Sequence, residues 1–235
     1  MRKSDARTAE GAKLVFVCAC VSQKGGAGKT TLVLHLAVAA HLAGYEAVII
    51  DLDPQGTVEA WGGWRKDAPP VVISAKSGNL SKTLERARDA GADVAFIDTP
   101  PLAQADASVA ARAADLVLIP CRPRAFDLHA IRLTASLVEM TKKAAFAVFN
   151  GGHPSTTSGY DEPAEIITAL GLKVAPIRIA DRGPYHQATM TGQAAQEIEP
   201  DGRAAREIKE MWEWLCEQTD MPAQKHTATK AGKRK

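Results

Sequence analysis

The chain has 235 residues, 46% of them hydrophobic and 24% charged, with a formal net charge of +2, which suits one substantial core and is too small a charge to mark a nucleic-acid protein by itself. Cys18, Cys20, Cys121 and Cys216 form neither a CxxC pair nor a disulfide framework, so reduced thiols are expected rather than a metal centre. No apolar run reaches the length of a membrane span, and the opening residues, with Arg2, Lys3, Asp5, Arg7 and Glu10, lack the apolar core of a secretory signal; a cytosolic protein is expected.

Residues 1–12 have neither helical nor strand periodicity and read as a flexible lead. Strand-like apolar runs follow at Leu14–Val21, Ala47–Ile50, Val71–Ile73, Val94–Ile97, Leu116–Ile119 and Ala145–Phe149. Longer amphipathic stretches alternate with them, among them Thr31–Ala43, Leu80–Ala90, Asp127–Thr141 and Pro163–Leu170, with the length of crossover helices. Strands apolar on both faces point to a parallel sheet covered on each side. The expected fold is a single-domain, doubly wound, mostly parallel α/β sheet flanked by helices, spanning residues 13–219. Its last helix, Arg203–Gln218, carries Ile208, Met211, Trp212 and Leu215 at three-to-four spacing, a face that should pack onto the sheet. Residues 220–235 hold Lys225, Lys230, Lys233, Arg234 and Lys235 without an apolar pattern and read as a basic flexible tail.

Gln23-Lys24-Gly25-Gly26-Ala27-Gly28-Lys29-Thr30-Thr31 lies between the first strand and the first helix. Glycines there let backbone N–H groups turn around an anion, the helix start adds partial positive charge, Lys29 reaches outer phosphates, and the Thr30 hydroxyl can ligate magnesium. Asp51-Leu52-Asp53-Pro54-Gln55-Gly56 ends the second strand, where ligands of open parallel sheets bind; its two acids either serve that chemistry or cap a turn. Val94–Ile97 ends in Asp98, followed by Thr99-Pro100-Pro101. A carboxylate so placed suits a magnesium ligand, held through water. Asn150 closes the strand Ala145–Phe149, as a base contact or a turn residue. Trp61-Gly62-Gly63-Trp64 reads either as a helix end packed on the core or as an exposed patch.

Position 23, where the ordinary P-loop has glycine, is glutamine, and a second lysine, Lys24, fronts the loop. KGGxGK[ST] is the deviant Walker A motif, and from Lys24 to Thr30 the chain resembles the ParA/MinD family of ATPases, the small plasmid type of partition ATPase in particular. The resemblance covers roughly Lys13 to Gln218. It implies an ATP-sandwich homodimer in which Lys24 crosses to the partner's phosphates, ATP and Mg2+ as ligands, and Gly25, Gly26, Ala27, Gly28, Lys29, Thr30 and Thr31 as the phosphate cradle. Asp53 then orients or deprotonates the attacking water, with Lys24 and Lys29 neutralising charge. Thr30, Asp53 and Asp98 fall at the metal, with Asp51 in its shell; Asn150, Pro176 and Ile177 fall beside adenine, and Thr99-Pro100-Pro101 resembles switch II.

Within that family, Arg182 and Arg203 resemble the arginines that contact DNA without sequence preference, although each alone suits a solvated surface. The resemblance further implies a ParB-like centromere-binding adaptor that accelerates slow hydrolysis, and a cytoplasmic, nucleoid-associated protein. A tail without an apolar face argues against a membrane anchor, and the cysteine positions argue against an iron–sulfur relative. The alternative keeps the ATPase cycle but positions other cargo, as a conjugative-transfer accessory or a positioner of a protein complex. A metabolic ligase with a similar loop is disfavoured by Lys24 and the DxDPQ segment.

Overall fold

The computed structural model describes residues 15–155, 159–219 and 221–224. The expected lead at 1–12, Leu14 of the first strand, and most of the expected tail lie outside them.

Apolar strands and longer helices alternate as the sequence pattern requires. In chain order they are β1 (Phe16–Cys20), α1 (Lys29–Leu42), β2 (Ala47–Asp51), α2 (Thr57–Trp64), β3 (Val71–Ser74), a 3-10 turn (Ser77–Asn79), α3 (Leu80–Asp89), β4 (Val94–Asp98), α4 (Gln104–Ala113), β5 (Leu116–Cys121) and α5 (Ala125–Glu139). They continue with β6 (Ala144–Gly152), α6 (Asp161–Ala169), β7 (Lys173–Val174), β8 (Ile179–Ala180), α7 (Gly183–Thr189), α8 (Ala195–Ile198) and α9 (Arg203–Glu217). The sheet runs β3-β2-β4-β1-β5-β6-β7, with β8 also on β6, and the strand pairs are parallel. This is an α/β domain of the expected class.

The chain leaves β1 toward β2 on one side, and later crosses from β4 to β5 on the other, so the carboxyl end of β1 lies at the topological switch point. Side-chain alternation divides the interior into two layers. Cys18, Cys20, Ile49 and Phe96 face the layer containing α1, α8 and α9. Val17, Ala19, Ile50 and Ile97 face the layer containing α3, α4, α5 and α6. All four cysteines are buried and none is joined in a disulfide; desolvation raises the thiols of Cys18 and Cys20 and pushes Cys216 up to about 12.

The first helix departs from its expected amphipathic character. Leu32 to Ala40 is buried without interruption, because α8 and α9 cover the side of α1 that faces away from the sheet. The expected face of α9, Trp212 included, is buried, and Trp214 extends it: Trp212 meets Tyr45 at 5.5 Å and Trp214 meets Phe146 edge-on at 4.9 Å between ring centroids. Residues 221–224, read as the beginning of the tail, also join this layer. Met221 and Ala223 pack on it, the Trp212 indole donates to the Ala223 carbonyl at 3.0 Å, and the Tyr45 hydroxyl donates to the Pro222 carbonyl at 2.6 Å.

Near its carboxyl end β6 pairs with β8 through a register shift between Asn150 and Gly152. The intervening Gly151 has φ +72°, a left-handed conformation that glycine adopts without strain. The shift brings Ala180 and Asp181 beside the loop that follows β1.

Candidate functional site

The loop after β1 turns into α1 at Gly28, whose φ of 91° lies in the left-handed region. A Cβ at that position would fall 1.8 Å from Asn150 Nδ2, so any side chain would collide with the end of β6 as well as strain the backbone. Asn150 occupies that space because its Nδ2 donates to the Ala27 carbonyl at 2.9 Å. The end of β6 thereby straps the glycine loop in place. The amide groups opening α1 have no earlier turn to bond and remain available to an anion.

Lys29 is buried, and its Nζ donates to the Lys24 carbonyl at 3.4 Å, across the loop. Thr30 Oγ1 donates to Asp98 Oδ2 at 2.7 Å. The other oxygen of Asp98, Oδ1, is buried without a hydrogen-bond partner. Burial pushes the Asp98 carboxyl up to about 7 against the Thr30 hydrogen bond that lowers it, and the Asp51 carboxylate adds to the rise. An orphaned acceptor beside a threonine hydroxyl suits a hard cation, since magnesium takes one or two protein oxygens and completes its shell with phosphates and water. Among the described residues no group of three His, Cys, Asp or Glu side chains could hold a metal, so a cation here would depend on such outside ligands.

The paired acids after β2 divide their roles. Asp51 is aligned with Asp98 across β2 and β4, but its oxygens accept the backbone N–H groups of Asp53 at 2.9 Å and Glu59 at 3.2 Å. It therefore caps the loop and the first turn of α2, the turn-capping alternative among the sequence expectations. Asp53 stands further out, half-buried, with Oδ1 accepting from the Gln55 N–H at 2.9 Å. Thr99 Oγ1 donates to the Cys20 carbonyl at 2.8 Å and ties the end of β4 to the end of β1.

The glycine loop from Gly25 to Thr31 lines a cavity of roughly 370 Å³ together with Asp53, Thr99, Pro101 and Asn150, whereas Asp51 and Asp98 are not part of its wall. Its volume falls in the range of small-ligand sites. Gly151, Ala180, Asp181, Tyr185, His186 and Arg122 complete the wall. Sequence reasoning missed Arg122, Tyr185 and His186. A cation directly after a buried strand, on the carboxyl edge of the sheet, was a usable signal for Arg122; none existed for the other two.

Some expected site residues do not line this cavity. Lys24 fronts the loop, half-buried, while Pro176 is exposed and Ile177 is half-buried. Arg203 is exposed at the start of α9. Arg182 is engaged inside the fold, its Nε donating to Glu207 Oε1 at 2.8 Å and a terminal nitrogen at 2.7 Å from the same oxygen. Glu207 Oε2 also accepts from the Ala180 N–H and the Tyr185 hydroxyl. The tryptophan pair splits: Trp61 is buried and donates its indole N–H to the Gln193 carbonyl at 3.1 Å, whereas Trp64 is 56% exposed. Among the described residues no helix is long and apolar enough to cross a membrane.

Comparison with known proteins agrees with this geometry. Residues 18–182 match the model of the CobQ/CobB/MinD/ParA nucleotide binding domain. Protein IncC of Escherichia coli is 25% identical, with 83% of this chain and 67% of that protein covered. Maintenance of carboxysome distribution protein A of Halothiobacillus neapolitanus is 27% identical, with 81% of this chain and 91% of that protein covered. Among solved structures, the septum site-determining protein MinD of Pyrococcus horikoshii, complexed with Mg-ADP, superposes with a TM-score of 0.65 at 16% identity over 84% of this chain and 96% of that one. With the glycine loop, Thr30 and Asp98 arranged on the carboxyl edge of a parallel sheet, the chain belongs to the MinD/ParA nucleotide-binding family.

Proposed function

We propose that the chain is an ATP-hydrolysing switch, with residues 13–219 as its ATPase domain, that segregates DNA by dimerising around ATP and binding DNA without sequence preference. The observation that carries the reading is the Thr30–Asp98 hydrogen bond with its orphaned Asp98 oxygen, made by the threonine that follows the buried Lys29 at the end of the glycine loop. Thr30 and Asp98 would hold Mg2+, with Asp53 close by, and the ion would supply charge neutralisation at the phosphates.

The remaining chemistry belongs to the chain. Amide groups from Gly25 to Thr31 bind phosphate oxygens, and Lys29, short of water in its buried position, adds a charge-assisted contact. Asn150, already fixed against the loop, orients the adenine side, with Pro176 bordering it. Asp53 places a water for in-line attack and accepts its proton, and Lys24 joins the phosphates of the partner subunit. Arg203 and Arg182 contribute phosphate contacts to DNA, Arg182 after release from Glu207. A ParB-like centromere-binding adaptor accelerates hydrolysis and returns the chain to a monomer, and the protein works in the cytoplasm on the nucleoid.

A second reading has its own support. The similarity to a carboxysome distribution protein over most of both lengths favours a chain that runs the same cycle to position a protein assembly instead of DNA. A small basic DNA-binding protein encoded next to this chain, with repeats nearby, would favour segregation over this alternative.

The nucleotide reading is tested by equilibrium titration with a fluorescent ATP analogue and by phosphate release. Lys29→Ala is expected to weaken binding by about two orders of magnitude or more. Asp53→Ala is expected to bind near wild-type strength while phosphate release falls by about a hundred-fold. A fully active Asp53→Ala protein would refute the assignment of the base.

A further inference from the structure

We propose that Arg122 is a nucleotide-binding residue whose guanidinium pairs with a phosphate of the ligand held by the glycine loop. The inference rests on the nucleotide reading of the cavity and adds a cationic contact outside the loop motif.

Arg122 directly follows β5, the strand that lies between β1 and β6, so its side chain leaves the sheet edge between the strap at Asn150 and the loop after β1. Its stem has a prepared lane. A Cβ on Gly151 would fall 3.3 Å from Arg122 Nε, 3.8 Å from Cγ and 3.9 Å from Cδ. The glycine at the register shift therefore serves the arginine as well as the backbone: a side chain there would crowd the lane along which the guanidinium reaches the cavity wall.

The charge balance supplies the second observation. Other arginines in partly enclosed positions have carboxylates: Arg65 pairs with Glu197 at 2.9 Å and Arg182 with Glu207 at 2.7 Å. Arg122 is half-buried and lines the cavity, yet among the described residues no carboxylate lies within ion-pair distance of it. Asp181, on the same wall, is turned toward His186 at 2.9 Å, and Asp53 accepts from its own loop. Lys29 adds a second positive group to the cavity. An arginine held by its stem, facing a cavity with another cation and without a carboxylate counter-ion among the described residues, matches an anionic ligand; its planar fork of donors suits phosphate oxygens in particular.

The test is equilibrium titration of the full chain with ATP and ADP, by calorimetry, for wild type, Arg122→Met, Arg122→Lys and Lys29→Ala. Methionine keeps most of the stem and removes the charge. Arg122→Met is expected to weaken ATP binding about ten-fold with an unchanged thermal midpoint, and Arg122→Lys to recover part of the loss. Higher salt should narrow the difference between wild type and Arg122→Met. Wild-type affinity in Arg122→Met, together with loss of binding in Lys29→Ala, overturns the role of Arg122 alone. Equal losses in Arg122→Met and Arg122→Lys overturn the charge argument. Undiminished binding in Lys29→Ala would instead remove the nucleotide reading itself.

Discussion

His35 lies on α1 with no solvent exposure, and its Nδ1 is 2.7 Å from the Thr31 carbonyl. A carbonyl can only accept, so Nδ1 carries the proton, and Nε2 is left buried without a partner. Tyr185 approaches the ring edge-on at 4.9 Å, and the interior lowers the imidazole to about 4, chiefly by desolvation, against raising effects from the Thr31 hydrogen bond and from Glu197. The folded chain thus keeps His35 neutral where the unfolded chain would protonate it. Between the ordinary histidine value and about 4 the unfolded state binds the extra proton, so this contribution is complete near neutrality and is lost as pH falls, by up to about 3 kcal/mol. The raised Asp98 carboxyl acts in the opposite direction over part of this range. The expected result is therefore a difference: urea midpoints of wild type should fall more steeply from pH 6.5 to 4 than those of His35→Met. Parallel curves for the two proteins would sink the assignment.

At the scale of elements, α2 is fastened to a part of the chain remote in sequence. Arg65, just past its last turn, has a side chain only 3% exposed and forms an ion pair with Glu197 at 2.9 Å. It also donates to the carbonyls of Gly192 at 2.8 Å, Ala68 at 3.2 Å and Pro69, and lies 4.6 Å from the Trp61 ring centroid. Removing one partner of such a buried pair strands the other, so Arg65→Ala is expected to cost about 3–5 kcal/mol in urea unfolding. Arg65→Lys should restore little, because an ammonium cannot reproduce the fork. Combining Arg65→Ala with Glu197→Gln should cost less than the sum of the two; strict additivity would show that the pair is not the anchor. This element also shows where sequence reading ends. The strands β1 to β6 and the glycine loop were legible because apolar runs and loop spacing are local signals. The Trp61–Trp64 segment was not, since two glycines weaken its helical signal and the carbonyls that hold it come from Gly192 and Gln193. Alanine-rich α4 buries Ala107, Ala110 and Ala111 and lacks the large apolar side chains that reveal a helix. The two-residue strands β7 and β8 exist through pairing with β6, and the bond between Arg182 and Glu207 is equally invisible before folding.

For the whole molecule, the candidate chemistry gathers on one edge. The carboxyl ends of β1, β2, β4, β5 and β6 supply the loop, Asp53, Asp98, Arg122 and Asn150, and Lys24 stands at the front of the same edge. Charge collects there on the bound phosphates, and a second chain presenting its own Lys24 to that edge would add a cationic contact to them while burying the site from water. Dimerisation should then depend on the γ-phosphate and on Lys24. Asp53→Ala is expected to have monomer mass with ADP and twice that mass with ATP in light scattering, whereas Asp53→Ala combined with Lys24→Ala should bind ATP and stay monomeric. Nonspecific duplex DNA should bind only the ATP-loaded dimer, more weakly as salt rises and more weakly again in Arg203→Ala. Arg182 needs a control, because its removal also leaves Glu207 without its cation. Glu207→Gln frees the arginine without deleting it, so it should preserve or strengthen DNA binding where Arg182→Ala weakens it. A mass that ignores the nucleotide, or DNA binding equal with ADP and ATP, would separate this chain from an ATP-driven DNA switch while leaving the family and fold intact.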